Sequence, residues 1–254
     1  MIDENGSFRD PAGKIYYEDN RVFRKLTALG TERFLELQNI NIISKSIEKG
    51  FLVETKVIKN QNKNDENKNE LILEHKKIPY ISYPYEWSFS QLKDAAIFHL
   101  DFHLFLLKNN ATLIDASAYN IQFIGSKLKF IDVLSVQRYN EGEFWVGHKQ
   151  FCENFLNPLI LKSKKGIKFN NWFKGNLEGI ETRELNNLLS VFDKFSYNIF
   201  VHIYLLNKFD EKYKSKKSLK LISQTKKQFS KKSFMALLSQ LRKFIFKLKD
   251  YKNV

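Results

Sequence analysis

Ser88-Phe-Ser-Gln91 heads a run in which Leu92, Ala95, Ala96, Phe98, Phe102, Phe105 and Leu106 recur at helical spacing. A Ser and a Gln three apart satisfy each other's orphan backbone N–H groups, so this helix has a defined start, and Asn109-Asn110 marks its stop. The continuation is equally constrained. Ile121-Gln-Phe-Ile124 and Lys127-Leu-Lys-Phe-Ile131 alternate in polarity about Gly125-Ser126, the pattern of a tight hairpin. A long helix leading through a short loop into a hairpin, with strand signals before it and helical ones after Phe144, gives an α+β plan of unequal halves.

The upstream half reads as mostly strand. Lys14 to Leu26 forms a hairpin about Asp19-Asn20, a pair that tolerates left-handed turn conformations. Thr31 is expected to cap a short helix with Phe34, Leu35 and Leu37 on its apolar face, and Ile42 to Lys49 a second helix ending at Gly50. Strands are expected at Phe51 to Ile58 and Glu70 to Glu74, on either side of the wholly polar run 60–69, which reads as a surface loop. Pro79 and Pro84 hold the residues before them extended. Downstream, helix is expected from Phe144 to the end, with breaks near Pro158 and from Gly166 to Gly179. There is no internal repeat.

Charge separates the chain differently. From Lys208 to Val254 stand 15 basic and 3 acidic residues, a balance of +12, while the other 207 residues carry 27 basic and 25 acidic groups, only +2. The body is thus a near-neutral globular chain, 15% aromatic, with a basic appendage. Nucleic-acid binding is disfavoured, because the charge lies on that appendage with few interleaved aromatics. The polar, acidic start has no apolar run of a secretory signal, and the stretch Ser196 to Leu206 is too short to span a bilayer. Cys152 is the sole cysteine, so neither a disulfide framework nor a multi-cysteine zinc site is open to the chain, and a cytoplasmic setting is expected.

Asp115 follows the long helix by a few residues, Asn120 lies five further on, and Asp132 ends the hairpin. This text, Leu113-Ile-Asp115-Ala-Ser-Ala-Tyr-Asn120 and then Leu128-Lys-Phe-Ile-Asp132, resembles the catalytic loop and metal-binding Asp of the protein-kinase-like superfamily, small-molecule kinases included. The resemblance implies a two-lobed protein-kinase-like fold with a reduced β-rich N-lobe over 1–84, an interlobe hinge at about 79–87, a mostly helical C-lobe over 88–207 and the appendage 208–254. It implies ATP and Mg²⁺ as cofactors, Asp115 as the base, and Asn120 and Asp132 as metal ligands, since phosphoryl transfer needs hard cations held by oxygen. Arg24 or Lys25 would then pair the phosphates, with Glu32 or Glu36 as a helical partner, and Tyr85, Glu86 and Trp87 would lie against the nucleotide.

The departures are specific. Leu113 stands where the family has His, Val133-Leu134 replaces Phe-Gly, and Gly13 is the only glycine near the first hairpin. The segment Asp132 to Trp145 lacks Ala-Pro-Glu and is short, which favours a hydroxyl of a small molecule or glycan as acceptor over a protein.

A second likeness is longer. Phe8-Arg-Asp-Pro-Ala-Gly13, Pro79 to Ala96, Asp115 to Phe123 and Gln150-Phe-Cys152 are similar to the N-terminal region of a family of bacterial proteins labelled class I S-adenosylmethionine-dependent methyltransferases, some of them called nodulation proteins. In these a methyltransferase domain follows. No glycine-rich dinucleotide fingerprint follows a strand here, so the expectation is the kinase-like portion alone, acting as a kinase or as a non-catalytic kinase-like module that docks on a methyltransferase or on membrane-associated glycan machinery. A methyltransferase activity proper would follow only from the family label.

Remaining polar residues read as structural. His99 and His103 lie four apart on the long helix without a third zincin ligand, and are expected to pack there. Cys152 with His148 resembles a thiol and base, but the apolar neighbours Phe151, Phe155 and Leu156 favour a buried cysteine. In the final helix Phe234, Leu237, Leu238, Leu241, Phe244, Ile245 and Leu248 form one stripe, while Lys231, Lys232, Arg242, Lys243 and Lys247 lie largely off it. That basic face suits an anionic membrane surface, placing the chain at the inner membrane surface, or an acidic partner; the plain alternative is internal packing with a solvated basic face.

Overall fold

The computed structural model describes residues 2–3, 11–58, 71–205 and 230–251, and the expectations for 4–10, 60–69 and 208–229 fall outside them. The fold mixes α and β in two compact units, one formed by Met1–Ile81 with Gln122–Arg138 and the other by Ser82–Ile121 with Tyr139–Val254. No described helix is long and apolar enough to cross a membrane.

The first unit contains β1 (Ile2–Asp3), β2 (Gly13–Glu18), β3 (Arg21–Leu26), α1 (Ala28–Asn39), α2 (Ile42–Glu48), β4 (Thr55–Ile58) and β5 (Ile72–His75). The strands form one antiparallel sheet in the order β1-β2-β3-β5-β4. Glu18 pairs with Arg21, which leaves Asp19 and Asn20 as a two-residue loop with φ of 46° and 63°, the left-handed pair this hairpin requires. Of the segment expected to be a strand from Phe51 to Ile58, only Thr55–Ile58 joins this sheet. The preceding residues turn to the hairpin Ile121–Ile124 and Lys127–Phe130 instead: Phe130 N–H donates to Phe51 O at 2.8 Å, and Val53 N–H to Phe130 O at 2.9 Å.

Thr31 is not the cap of α1. Thr27 leaves β3 in extended conformation and its hydroxyl accepts from Gly30 N–H, whereas Thr31 is buried inside the helix. Phe34 and Leu37 face inward as expected, but Leu35, about 100° round the helix from Phe34, is exposed. Gly30 lies so close to β2's approach that a Cβ there would stand 1.9 Å from Ala12 O. Gly50 follows α2 at φ +80°, as its C-cap role requires.

In the second unit, the long helix α3 (Phe89–Lys108) starts with the reciprocal Ser88 and Gln91 bonds and buries Leu92, Ala95, Ala96, Leu100, Phe102 and Leu106. The final helix Lys231–Lys247 lays Phe234, Leu238, Leu241 and Ile245 on α3, each such side chain contributing roughly 1.5–3 kcal/mol relative to exposure. Arg242 locks the pair by donating to both oxygens of Asp101 at 2.5 and 2.8 Å. Helix expected to break at Pro158 does not: His148–Phe151 runs through a π-helical turn, Cys152–Leu156, into Asn157–Lys165. The wide turn opens the hydrogen-bond ladder directly before the proline, which has no N–H to donate. Within the expected gap from Gly166 to Gly179 stands a short helix, Asn170–Gly175, followed by Thr182–Leu188.

Candidate functional site

The chemically distinctive residues of the first unit gather on one face of β3. Strand alternation sends Arg24 inward with Leu26 and leaves Lys25 exposed. Gly13 leaves the room needed here, since a Cβ there would sit 2.8 Å from Lys25 O and 3.3 Å from Arg24 Nε. Arg24 Nη1 donates to Asp132 Oδ1 at 2.5 Å, with 6% of the Arg24 side chain and 24% of the Asp132 side chain exposed. Asp132 also caps the turn Val133–Ser135, accepting from Leu134 N–H at 3.2 Å on Oδ1 and from the Ser135 hydroxyl on Oδ2. Burial alone raises its carboxyl pKa, but the Arg24 guanidinium and these donors outweigh that and hold it below the usual value.

Beside this pair His75 ends β5, its Nδ1 2.9 Å from Thr55 Oγ1 and its Nε2 buried without a hydrogen-bond partner. Burial and the Arg24 charge push it down to about 4, partly countered by Asp132. Glu32 and Glu36, the partners expected for the strand cation, lie on the exposed side of α1. Sequence reading missed His75 and Ser135; an acid three residues before a serine was the available signal for the second.

In the second unit the loop carrying Asp115 and Asn120 is shaped by side chains that accept from its backbone N–H groups. Asp115 Oδ1 accepts from Ser117 N–H at 2.7 Å, and the Ser117 hydroxyl accepts from Tyr119 N–H, which starts the single turn Ala118–Asn120. Gln150 Oε1 takes Ala116 N–H at 2.8 Å, and Asn154 Oδ1 takes Ala118 N–H at 3.0 Å. From the same helix Asn154 donates to Glu178 O, while Asn157 donates to Ile180 O and Thr182 Oγ1. Gln150, Asn154 and Asn157 thus tie the loop on one side of their helix and residues 178–182 on the other. Their spacing was visible in the sequence but their partners were not.

No family model matches the chain. Among curated proteins it is 38% identical over 245 residues to nodulation protein NoeA of Rhizobium meliloti (strain 1021), an alignment covering 96% of this chain and 51% of that protein. The chain spans about half the length of the curated relative it matches. Among solved structures, one titled "Structure of vaccinia related kinase 3" is similar at 15% identity and a TM-score of 0.35, covering 55% of this chain and 48% of that one.

The remaining candidate residues are placed as follows. Trp87 is a core side chain, 2% exposed, whose Nε1 donates to Ser82 Oγ at 3.0 Å. Glu86 accepts from Tyr83 N–H, Tyr83 and Tyr85 stack at 5.3 Å, and Asn170 Nδ2 donates to the carbonyls of Tyr85 and Trp87. His99 and His103 are fully buried on α3, packed about Trp145; His103 Nε2 lies 2.8 Å from Thr112 Oγ1, and burial brings His99 down to about 4 and His103 well below its usual value. Cys152 is buried as expected, which pushes its thiol up. Of the basic residues on the final helix, Lys231 donates to Asn110 Oδ1 and Arg242 to Asp101, whereas Lys232, Lys243 and Lys247 are exposed.

Proposed function

We propose that the chain is a phosphotransferase of protein-kinase type, moving the γ-phosphoryl group of ATP to a hydroxyl of a small molecule or glycan. The observation that carries this reading is the Arg24 and Asp132 pair: a strand cation and a post-hairpin carboxylate, each a candidate on separate grounds, lie 2.5 Å apart. Within the first unit, Asp132 offers hard oxygen donors of the kind Mg²⁺ takes, and Arg24 beside it offers a fork suited to phosphate. The ion, when bound, neutralises triphosphate charge. Asp115 receives the acceptor hydroxyl's proton as its oxygen bonds to the γ-phosphorus and ADP leaves. Asp132 would help hold such an ion, and Arg24 would hold phosphate oxygens. Asp115→Asn should leave nucleotide binding within about twofold while lowering turnover by about a hundredfold or more, the scale of a lost general base. ADP formation that is undiminished in Asp115→Asn contradicts the assignment.

A second reading is a non-catalytic kinase-like module that docks on a methyltransferase or on membrane-associated machinery through Lys232, Lys243 and Lys247. It is favoured by one fact: both Asp132 oxygens already have donors from Arg24, Leu134 and Ser135, so the carboxylate is satisfied without an ion. Nucleotide binding without turnover on any hydroxyl acceptor, together with loss of partner or vesicle association on replacing those three lysines by Glu, supports this reading. ATP-dependent turnover that Asp115→Asn abolishes counts against it.

A further inference from the structure

Away from the Asp115 loop, three metal-ligating side chains of the second unit converge. His148 opens its helix and Cys152 follows one turn later on the same face, where the π-helical turn Cys152–Leu156 begins. His202 comes from a second π-helical stretch, Phe200–Leu205. His148 Nε2 stands 2.9 Å from His202 Nδ1 and 3.8 Å from Cys152 Sγ, and all three ligand atoms lie within 4.8 Å of one another. Around a tetrahedral zinc ion, with Zn–N of about 2.0–2.1 Å and Zn–S of about 2.3 Å, such atoms stand roughly 3.3–3.6 Å apart. The His148–His202 and His148–Cys152 spacings are thus within about half an ångström of that geometry.

We propose that His148, Cys152 and His202 form a binding site for a zinc-class divalent ion that clips the helix starting at His148 to the Phe200–Leu205 segment. The donor chemistry excludes Mg²⁺ and Ca²⁺, which require oxygen, and selects a borderline late transition metal. Cys152 and His202 are 0% and 1% exposed, while His148 is partly exposed and supplies the way in. No fourth His, Cys, Asp or Glu joins the group among the described residues, so water or a small anion completes the coordination. Binding sends the thiol proton to solvent and leaves each imidazole protonated on its other nitrogen. Two ligand-bearing segments that are both π-helical agree with this, because π turns re-aim side chains and recur at functional sites. Gln150 and Asn154 leave the same helix on a different face to hold the Asp115 loop. The clip is a structural device, independent of phosphoryl transfer.

The test is a titration of tag-free, chelator-treated protein with Co²⁺, an ion whose visible bands report tetrahedral geometry and whose near-ultraviolet band reports thiolate ligation. One equivalent should bind with both signatures, be displaced by Zn²⁺, and raise the melting temperature. Cys152→Ala should lose the thiolate band, and the less buried His148→Gln should bind more than about tenfold more weakly with that band retained. The wild-type titration decides the matter even if a variant does not fold: absence of stoichiometric binding, or binding without the thiolate band, overturns the site.

Discussion

The two sets of residues proposed for phosphoryl transfer are held by opposite means. In the first unit, Asp132 is fixed by charge: a buried guanidinium, a hydroxyl and a backbone N–H meet one carboxylate. In the second, uncharged amides hold the backbone: Gln150 and Asn154 bond the Asp115 loop, and Asn157 bonds Ile180. Charged contacts exchange partners when an ion or phosphate arrives, because the newcomer offers comparable electrostatic energy. Buried amide contacts do not exchange, since breaking one strands a polar group without water. The first arrangement suits ligand-responsive residues and the second a preformed loop.

Acid should weaken the second unit most, because His99, His103, His148 and His202 are all held below their ordinary value there, against His75 alone in the first unit. His99 and His103 are held neutral in the fold, so their contribution is complete above about pH 6.5, the unfolded value, and is lost as pH falls toward the folded value, about 4 for His99. For His99 alone this is about 3 kcal/mol. Asp132 has a lowered pKa, so its contribution persists above the ordinary carboxylate value and fades only as pH falls below it. All three tryptophans, Trp87, Trp145 and Trp172, lie in the second unit, so their emission follows that unit alone. It should begin to change between pH 6.5 and 4; emission unchanged down to pH 4 would break the contrast.

Asn157→Ala comes next, with an expected loss of about 2–3 kcal/mol, since it removes two buried hydrogen bonds and leaves Ile180 O unpaired by that side chain. Urea unfolding at low and high salt should give the same loss, and a salt-dependent value would contradict a neutral clamp. Asp132→Ala should cost about 1–2 kcal/mol, less than for a fully buried pair because a quarter of its side chain meets solvent. Here salt should reduce the difference. Arg242→Ala is the smallest, about 0.5–1 kcal/mol despite its two bonds to Asp101, because both side chains are 36% exposed.

Features set by neighbours in sequence were legible. The Asp19-Asn20 turn and the Ser88 capping box each depend on residues two to four apart, and both are present. The choice between Arg24 and Lys25 was not, because it depends on which face of the sheet is covered, and that is fixed by chain far away in sequence. Thr27 and Thr31 are equally good caps by type; only the bond from Thr27 N–H to Ala12 O, made as β3 ends, decides between them. The apolar stripe on the final helix was legible, while the surface that buries it, α3, lies far away in sequence. For the same reason the His148, Cys152 and His202 cluster stayed hidden, since 54 residues separate the two histidines.

The proposed reaction requires Asp132 to exchange Arg24 for a metal ion when nucleotide binds. Calorimetric titration of ATP, with and without Mg²⁺, into the wild-type chain and Asp132→Ala tests it directly. Mg²⁺-dependent binding by the wild type and its loss in the variant are expected. No binding at millimolar ATP, or binding indifferent to both Mg²⁺ and the substitution, would contradict it.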